Sequence, residues 1–192
     1  LTDGSTEIGT FAVPSPGKSN ERGKFLTKQT EKPSFSLKPG FYKEAQTIEI
    51  SVKNKNAKIY YTTNGSEPTP QSTPCTEPII IEKNAPIRAA AFVDGEISSE
   101  INTASYFINE REINIPVVAL VAEPELIYGD SFGLIVTGVN GNVEIPGYCN
   151  DPLENTYANY YNDWKHPSNF ELFDANDKEQ INLEVKIGVY GS

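Results

Sequence analysis

Five aromatic side chains, Tyr148, Tyr157, Tyr160, Tyr161 and Trp164, fall in one polar stretch together with Asp151, Glu154, Asn155, Asn159 and Asp163. Rings beside carboxylates and amides are what a sugar site requires, because pyranose CH faces pack on aromatic faces while the hydroxyls need polar partners. Tyr148, Tyr157, Tyr160, Tyr161, Asp163 and Trp164 are therefore the candidate ligand-binding set. The same rings could instead pin an extended loop to a sheet beneath it, a use that needs no ligand.

Other chemistry is harder to assemble. The acidic residues of that stretch could offer oxygens to Ca²⁺, but they form no ordered calcium loop. The segment Asp174-Ala-Asn-Asp-Lys-Glu179 starts like one and fails, with Lys at the fifth position and no Gly at the sixth, so it is expected to be a turn between strands. His166 is the only histidine, which sets a zinc site aside. As a general base it would need a converging nucleophile and an orienting carboxylate, so a packed or solvent-side ring is expected. The Gly138-Val-Asn-Gly141 loop has no following helix whose dipole could hold a phosphate. Asn64-Gly-Ser66 matches a glycosylation sequon, although a turn explains the same residues. Cys75 and Cys149 fall in different candidate domains without metal-ligand spacing, and either two free thiols or one bridge would satisfy them. No catalytic residue, metal ligand or cofactor is assigned to these 192 residues.

The elements that must position these groups follow from composition and alternation. A formal charge of -10 without a Lys/Arg cluster argues against nucleic acid as a partner. No run approaches the roughly 20 apolar residues of a spanning helix, so membrane insertion of this segment is not expected. With 14 Gly and 14 Pro, the chain has the turn density of a β-rich protein, and its length accommodates two small cores.

Residues 1–32 show no sustained apolar period and are expected to be a linker or the end of a preceding domain. Short alternating runs begin at Pro33. Ile48, Ile50 and Val52 alternate with polar residues as one half-buried strand, and Lys58–Thr63 leads into Asn64-Gly65, a pair favoured where both turn residues need positive φ. Ile79–Ile81 forms a short strand. Ile87, Ala89, Ala91 and Val93 alternate up to Asp94-Gly95, and the return strand runs through Ile101, Thr103, Ser105 and Phe107. With Phe35 and Leu37 this gives a small sandwich over 33–108. One of Tyr60 and Tyr61 should face its core and the other solvent. In 109–192, Ile113–Val121 reads as a buried strand beginning or lying at an edge because of Pro116. Phe132, Leu134 and Val136 alternate as a second strand, and a long loop spans Val139 to Asn162. Asn169–Phe173 and the row Ile181, Leu183, Val185, Ile187, Val189 read as two more strands. The fold class expected is all-β: an immunoglobulin/fibronectin-like β-sandwich followed by a partial, truncated β-rich second domain.

Several of these segments carry family likenesses. Phe35-Ser-Leu-Lys-Pro-Gly-Phe-Tyr42, Ile59-Tyr-Tyr-Thr-Thr-Asn-Gly-Ser-Glu-Pro-Thr69, Ser72, Thr76-Glu-Pro-Ile79, Ile87-Arg-Ala-Ala-Ala91 and Tyr106-Phe107 resemble the β-sandwich module of the chitobiase and β-hexosaminidase C-terminal domain family. Asn64 stands where that pattern usually has Asp, and Cys75 where it has Tyr. Ile115-Pro-Val-Val-Ala-Leu-Val121, Gly133-Leu-Ile-Val136, Trp164-Lys-His-Pro, Phe170-Glu-Leu-Phe-Asp174 and Ile187-Gly-Val-Tyr-Gly-Ser192 resemble the N-terminal part of the spore coat protein H (CotH) kinase family, with Lys186, Gly188 and Tyr190 replacing its usual Gly, Arg and His. Phe11-Ala-Val-Pro-Ser-Pro-Gly-Lys-Ser-Asn20 resembles the exit of a lamin-tail-like domain.

These resemblances imply a non-catalytic secreted or cell-surface module of a bacterial multidomain protein, outer-membrane-associated or periplasmic locations included. Its role would be a spacer or a carbohydrate- or protein-binding element, with a glycan or a surface protein as partner. The alternative they imply is the N-terminal lobe of an ATP-dependent kinase, with ATP and Mg²⁺ relevant only if the parent is active and with the catalytic residues beyond these positions. Ligand identity and oligomeric state are left open.

Overall fold

The computed structural model describes residues 10–11, 25–111, 113–139 and 158–190. Strands dominate and helix is almost absent, so the chain is all-β. Alternation is the cause: Gln46–Ile48, Lys58–Thr62, Ala85–Phe92 and Asn102–Ile108 place small, β-branched or aromatic residues on every second position.

The first half is a two-layer sandwich. One layer is a five-stranded sheet, in the order β4 (Gly40–Tyr42), β11 (Asn102–Ile108), β10 (Ala85–Phe92), β7 (Lys58–Thr62) and β8 (Thr73–Pro74). Its pairs are antiparallel except β4 with β11. Facing it are two short antiparallel ladders, β3 (Ser34–Phe35) with β6 (Ile50–Ser51) and β5 (Gln46–Ile48) with β9 (Ile79–Ile81). Between the layers lie Ile48, Ile79, Ile81, Ile87, Ala104, Tyr106 and Ile108, with Phe35, Leu37, Tyr42, Ile50 and Tyr61 around them. Two short strands, β1 (Thr10–Phe11) and β2 (Phe25–Leu26), pair with each other. Residues 28–30 are hydrogen-bonded to Ile97, and Lys28 pairs with Glu96.

The second half supplies an antiparallel sheet in the order β12 (Val117–Ala122), β13 (His166–Phe173) and β14 (Glu179–Ile187). Its inner face lies on the outer side of the five-stranded sheet. Phe173 meets Phe41 and Phe107 edge-on at 5.8 and 5.6 Å, Asn182 Nδ2 donates to the Thr103 carbonyl at 3.1 Å, and the buried Glu171 accepts from Ser105. The five-stranded sheet is thus a middle layer with both faces covered, as the uninterrupted burial of Ile87–Ala91 shows.

Several sequence expectations change. The run through Ile48 and Ile50 is not one strand: Ile48 pairs with Ile79, whereas Ile50 pairs with Phe35, and the switch falls at Glu49, whose N–H and carbonyl are taken by Ser36. At Asn64-Gly65 only Gly65 has positive φ (91°), because Asn64 Oδ1 accepts from the Ser66 N–H in an Asx turn. Ile113–Val121 is shorter and less buried as a strand than expected: β12 starts directly after Pro116, at the sheet edge that this proline implied, and Val118 and Leu120 are exposed. Phe132–Val136 forms no strand, since Leu134 and Ile135 donate their N–H groups to Leu126 and Ile127 of a short helix, α1 (Pro124–Tyr128). Both Tyr60 and Tyr61 are half-buried, Tyr61 against the core and Tyr60 edge-on to Phe92 at 5.6 Å. Cys75 is a half-buried free thiol, and burial pushes it up; Cys149 lies outside the described residues.

Candidate functional site

The aromatic candidates sit where the chain returns to the second sheet. Ahead of β13, a single 3-10 turn spans Asn159–Tyr161. It is fixed by the buried Asn159, whose N–H donates to the Thr137 carbonyl at 3.0 Å and whose Nδ2 donates to the Asp130 carbonyl at 3.0 Å. Gly138 makes that approach possible, because a Cβ there would come within 2.2 Å of the Asn159 side chain.

Two aromatic groupings result. Tyr160 and Tyr161 lie ring to ring at 4.9 Å, tilted by 50°, and Tyr161 is 47% exposed. Trp164 packs on Phe132 at 5.7 Å and on His166 at 6.1 Å, with Phe132 59% exposed. His166 Nε2 lies 2.8 Å from the Phe132 carbonyl, which fixes the ring as a packing element. Asp163 is exposed and pairs with Lys165 at 3.7 Å. The structure therefore brings Tyr160 to Tyr161 and joins Trp164 to Phe132, a residue outside the sequence-based set. Tyr148 and Tyr157, with Asp151, Glu154 and Asn155, lie outside the described residues. Exposed rings with amides nearby can stack on apolar faces of a ligand and offer hydrogen bonds at its edge. Among the described residues, no group of three His, Cys, Asp or Glu side chains could hold a metal ion.

A second concavity, of about 270 Å³, lies between the two halves, bounded by Asn64, Gly65, Pro86, Ser105, Phe107 and Val121 among others. No carboxylate, histidine, lysine or arginine lines it, so it has no acid–base pair to offer.

Beside it runs a polar seam that sequence reasoning did not pick out. The Glu171 carboxylate accepts from the Ser105 N–H at 3.0 Å and from Ser105 Oγ, with Asn182 Nδ2 at 3.4 Å. Burial pushes Glu171 above the usual carboxylate range, the two Ser105 donors oppose this, and Glu179 adds to the rise. Arg88, 7% exposed, donates from Nη1 to the Gly65 carbonyl at 2.7 Å, and among the described residues its Nε has no partner. Burial lowers its pKa, opposed by the charges of Glu67, Glu123 and Glu184. Glu123 ties the halves together by accepting from Ser66 Oγ at 2.9 Å and from the Glu67 N–H at 2.8 Å. These are positioning contacts. The available signal for Glu171 was its phase, since it shares a strand face with Phe173.

The family model of the chitobiase/beta-hexosaminidase C-terminal domain matches residues 37–103, the greater part of the sandwich. An endoglucanase from Clostridium saccharobutylicum is 40% identical over 67 residues, which cover 35% of this chain and 14% of that protein. No solved structure matches.

Proposed function

We propose that this chain is a non-catalytic module of a secreted or cell-surface carbohydrate-active multidomain protein, acting as a spacer that also touches glycan. The observation that carries it is the family match over residues 37–103, and the similarity to a stretch of an endoglucanase agrees with that setting. The glycan contact is assigned to two aromatic pairs, the exposed Phe132 with the half-buried Trp164 and the exposed Tyr161 with the half-buried Tyr160. Exposed rings of this kind suit weak stacking on pyranose faces. The test is affinity electrophoresis and pull-down on cellulose and chitin, with native protein against the Trp164→Ala/Tyr161→Ala double variant. Retardation that the double variant abolishes supports the assignment, and binding that survives it removes these rings from the site.

The alternative, an N-terminal lobe of a CotH-like ATP-dependent kinase, draws on one feature: the β12–β13–β14 sheet holds part of the segments that carry that resemblance, and its outer residues Val118, Leu120, Ile181 and Leu183 are exposed. It places the catalytic groups outside these 192 residues. ATP with Mg²⁺ should then give this chain no thermal shift, because ligand stabilisation requires a site in the folded state. Phosphotransfer by the full-length protein would decide for this alternative.

A further inference from the structure

The turn that follows β7 lies where the two halves meet, and its own groups are arranged for chemistry on one another. Asn64 is exposed, and its Oδ1 accepts from the Ser66 N–H at 3.1 Å, which holds the side-chain carbonyl over the peptide that follows. A donor on that oxygen draws electrons from Cγ and stabilises the oxyanion formed when a nucleophile adds there. The nucleophile at hand is the Gly65 nitrogen. Gly65 has no side chain to hinder the approach, and its N–H donates to no acceptor among the described residues. The rest of the turn is pinned to both halves. The Gly65 carbonyl accepts from the buried Arg88 at 2.7 Å, and a Cβ on Gly65 would come within 2.6 Å of the Ala122 carbonyl oxygen. Ser66 Oγ and the Glu67 N–H donate to Glu123 at 2.9 and 2.8 Å.

We propose that Asn64 is a self-modification site, at which the chain converts its own side-chain amide to aspartate or isoaspartate and the isoaspartate form loosens the joint between the halves. The Gly65 nitrogen, its proton given up to solvent base, adds to Asn64 Cγ. The bond from Cγ to Nδ2 breaks, Nδ2 leaves as ammonia, and a cyclic imide closes. Water then opens the imide on either side. Addition at Cγ breaks the new bond and leaves an aspartate, whereas addition at the main-chain carbonyl carbon breaks the original peptide link and routes the chain through the side chain as isoaspartate. Water enters, ammonia leaves, and nothing is oxidised or reduced. The two products act differently on the joint. Aspartate keeps an oxygen for the Ser66 N–H. Isoaspartate adds a main-chain carbon ahead of Gly65, which has no room against Ala122 to take it up. The Gly65 carbonyl must then leave Arg88, whose Nε already has no partner among the described residues, and Ser66 and Glu67 must leave Glu123.

The test ages the native protein at mildly alkaline pH beside a blocked synthetic peptide of residues 60–69. Peptide mapping by mass spectrometry reads the amide-to-acid conversion at position 64 separately from that at Asn140-Gly141, the other such pair in the chain, and an isoaspartyl methyltransferase reads the isoaspartate fraction. Conversion at position 64 in the folded protein is expected to be no more than about tenfold slower than in the peptide, a restraint of the size that local opening of a turn relieves. In the isoaspartate fraction the Glu67 N–H should lose its hydrogen-exchange protection and the thermal midpoint should fall. Freshly made Asn64→Asp should keep both. Asn64→Ser, which retains a turn acceptor but has no amide, should age with its Glu67 protection intact. Conversion in the native protein slower than that margin, or an isoaspartate fraction as protected at Glu67 as the unaged chain, would overturn the proposal. Equal loss of protection in aged Asn64→Ser would overturn it too, since the cause would then lie elsewhere in the chain.

Discussion

Replacing Glu171 by Gln should stabilise the protein at neutral pH and hardly at all in acid. Glu171 is fully buried, and its partners are the Ser105 N–H, Ser105 Oγ and Asn182 Nδ2 rather than a cation. Burial holds its carboxyl above the ordinary range. Such a group contributes most below the pKa of the unfolded chain, and that contribution is lost as pH rises through the folded value. Gln keeps the shape and an acceptor for the Ser105 N–H while removing the charge, so E171Q should be the more stable protein at pH 7. E171A leaves the Ser105 N–H unpaired and opens a void, at a cost of about 3 kcal/mol in acid that narrows as pH rises and the native carboxyl's contribution is lost. Urea unfolding at fixed temperature from pH 4 to 8 measures all three proteins. The E171Q advantage should widen from about pH 4.5 upward and then level off. A native protein that instead gains on E171Q as pH rises would refute the account, since charge-assisted bonds from Ser105 would then outweigh desolvation.

Gly65→Ala should cost about 1–3 kcal/mol in the same assay, because φ is +91° and the new Cβ would sit 2.6 Å from the Ala122 carbonyl oxygen. Glu123→Ala, which frees Ser66 and the Glu67 N–H, should raise amide exchange in the 64–67 turn and cost about 1 kcal/mol, leaving the sandwich core protected. Ile87→Ala should cost about 3 kcal/mol in thermal unfolding, since this fully buried side chain has no space to be refilled from solvent. Asp174→Ala should narrow the acid range: hydrogen bonds from the Lys178 and Asn176 N–H groups hold this carboxyl below its ordinary value, so the stability it gives is present above that value and lost as pH falls through the folded one. Acid titration followed by circular dichroism should show the native chain gaining on the variant as pH rises from about 2 to 5.

Alternating polarity determined the all-β class, the strands at Lys58–Thr62, Ile79–Ile81 and Ala85–Phe92, and the edge position of β12, which Pro116 marks by withholding an N–H. Local chemistry also determined the Asp174–Lys178 turn, where one carboxylate accepts from the Asn176 and Lys178 N–H groups. Tertiary structure alone decided which phase of β11 faces the sandwich core. Ala104, Tyr106 and Ile108 point inward, while Thr103, Ser105 and Phe107 meet the second sheet, and a strand buried on both sides gives alternation no contrast to read. The Phe132–Val136 run is a similar case, because its N–H groups go to α1 carbonyls that no local pattern announces. Composition was enough to gather the aromatic candidates, but pairing Trp164 with Phe132 requires two segments far apart in the chain to meet. That meeting depends on the ladder between β12 and β13, a long-range pairing set by packing.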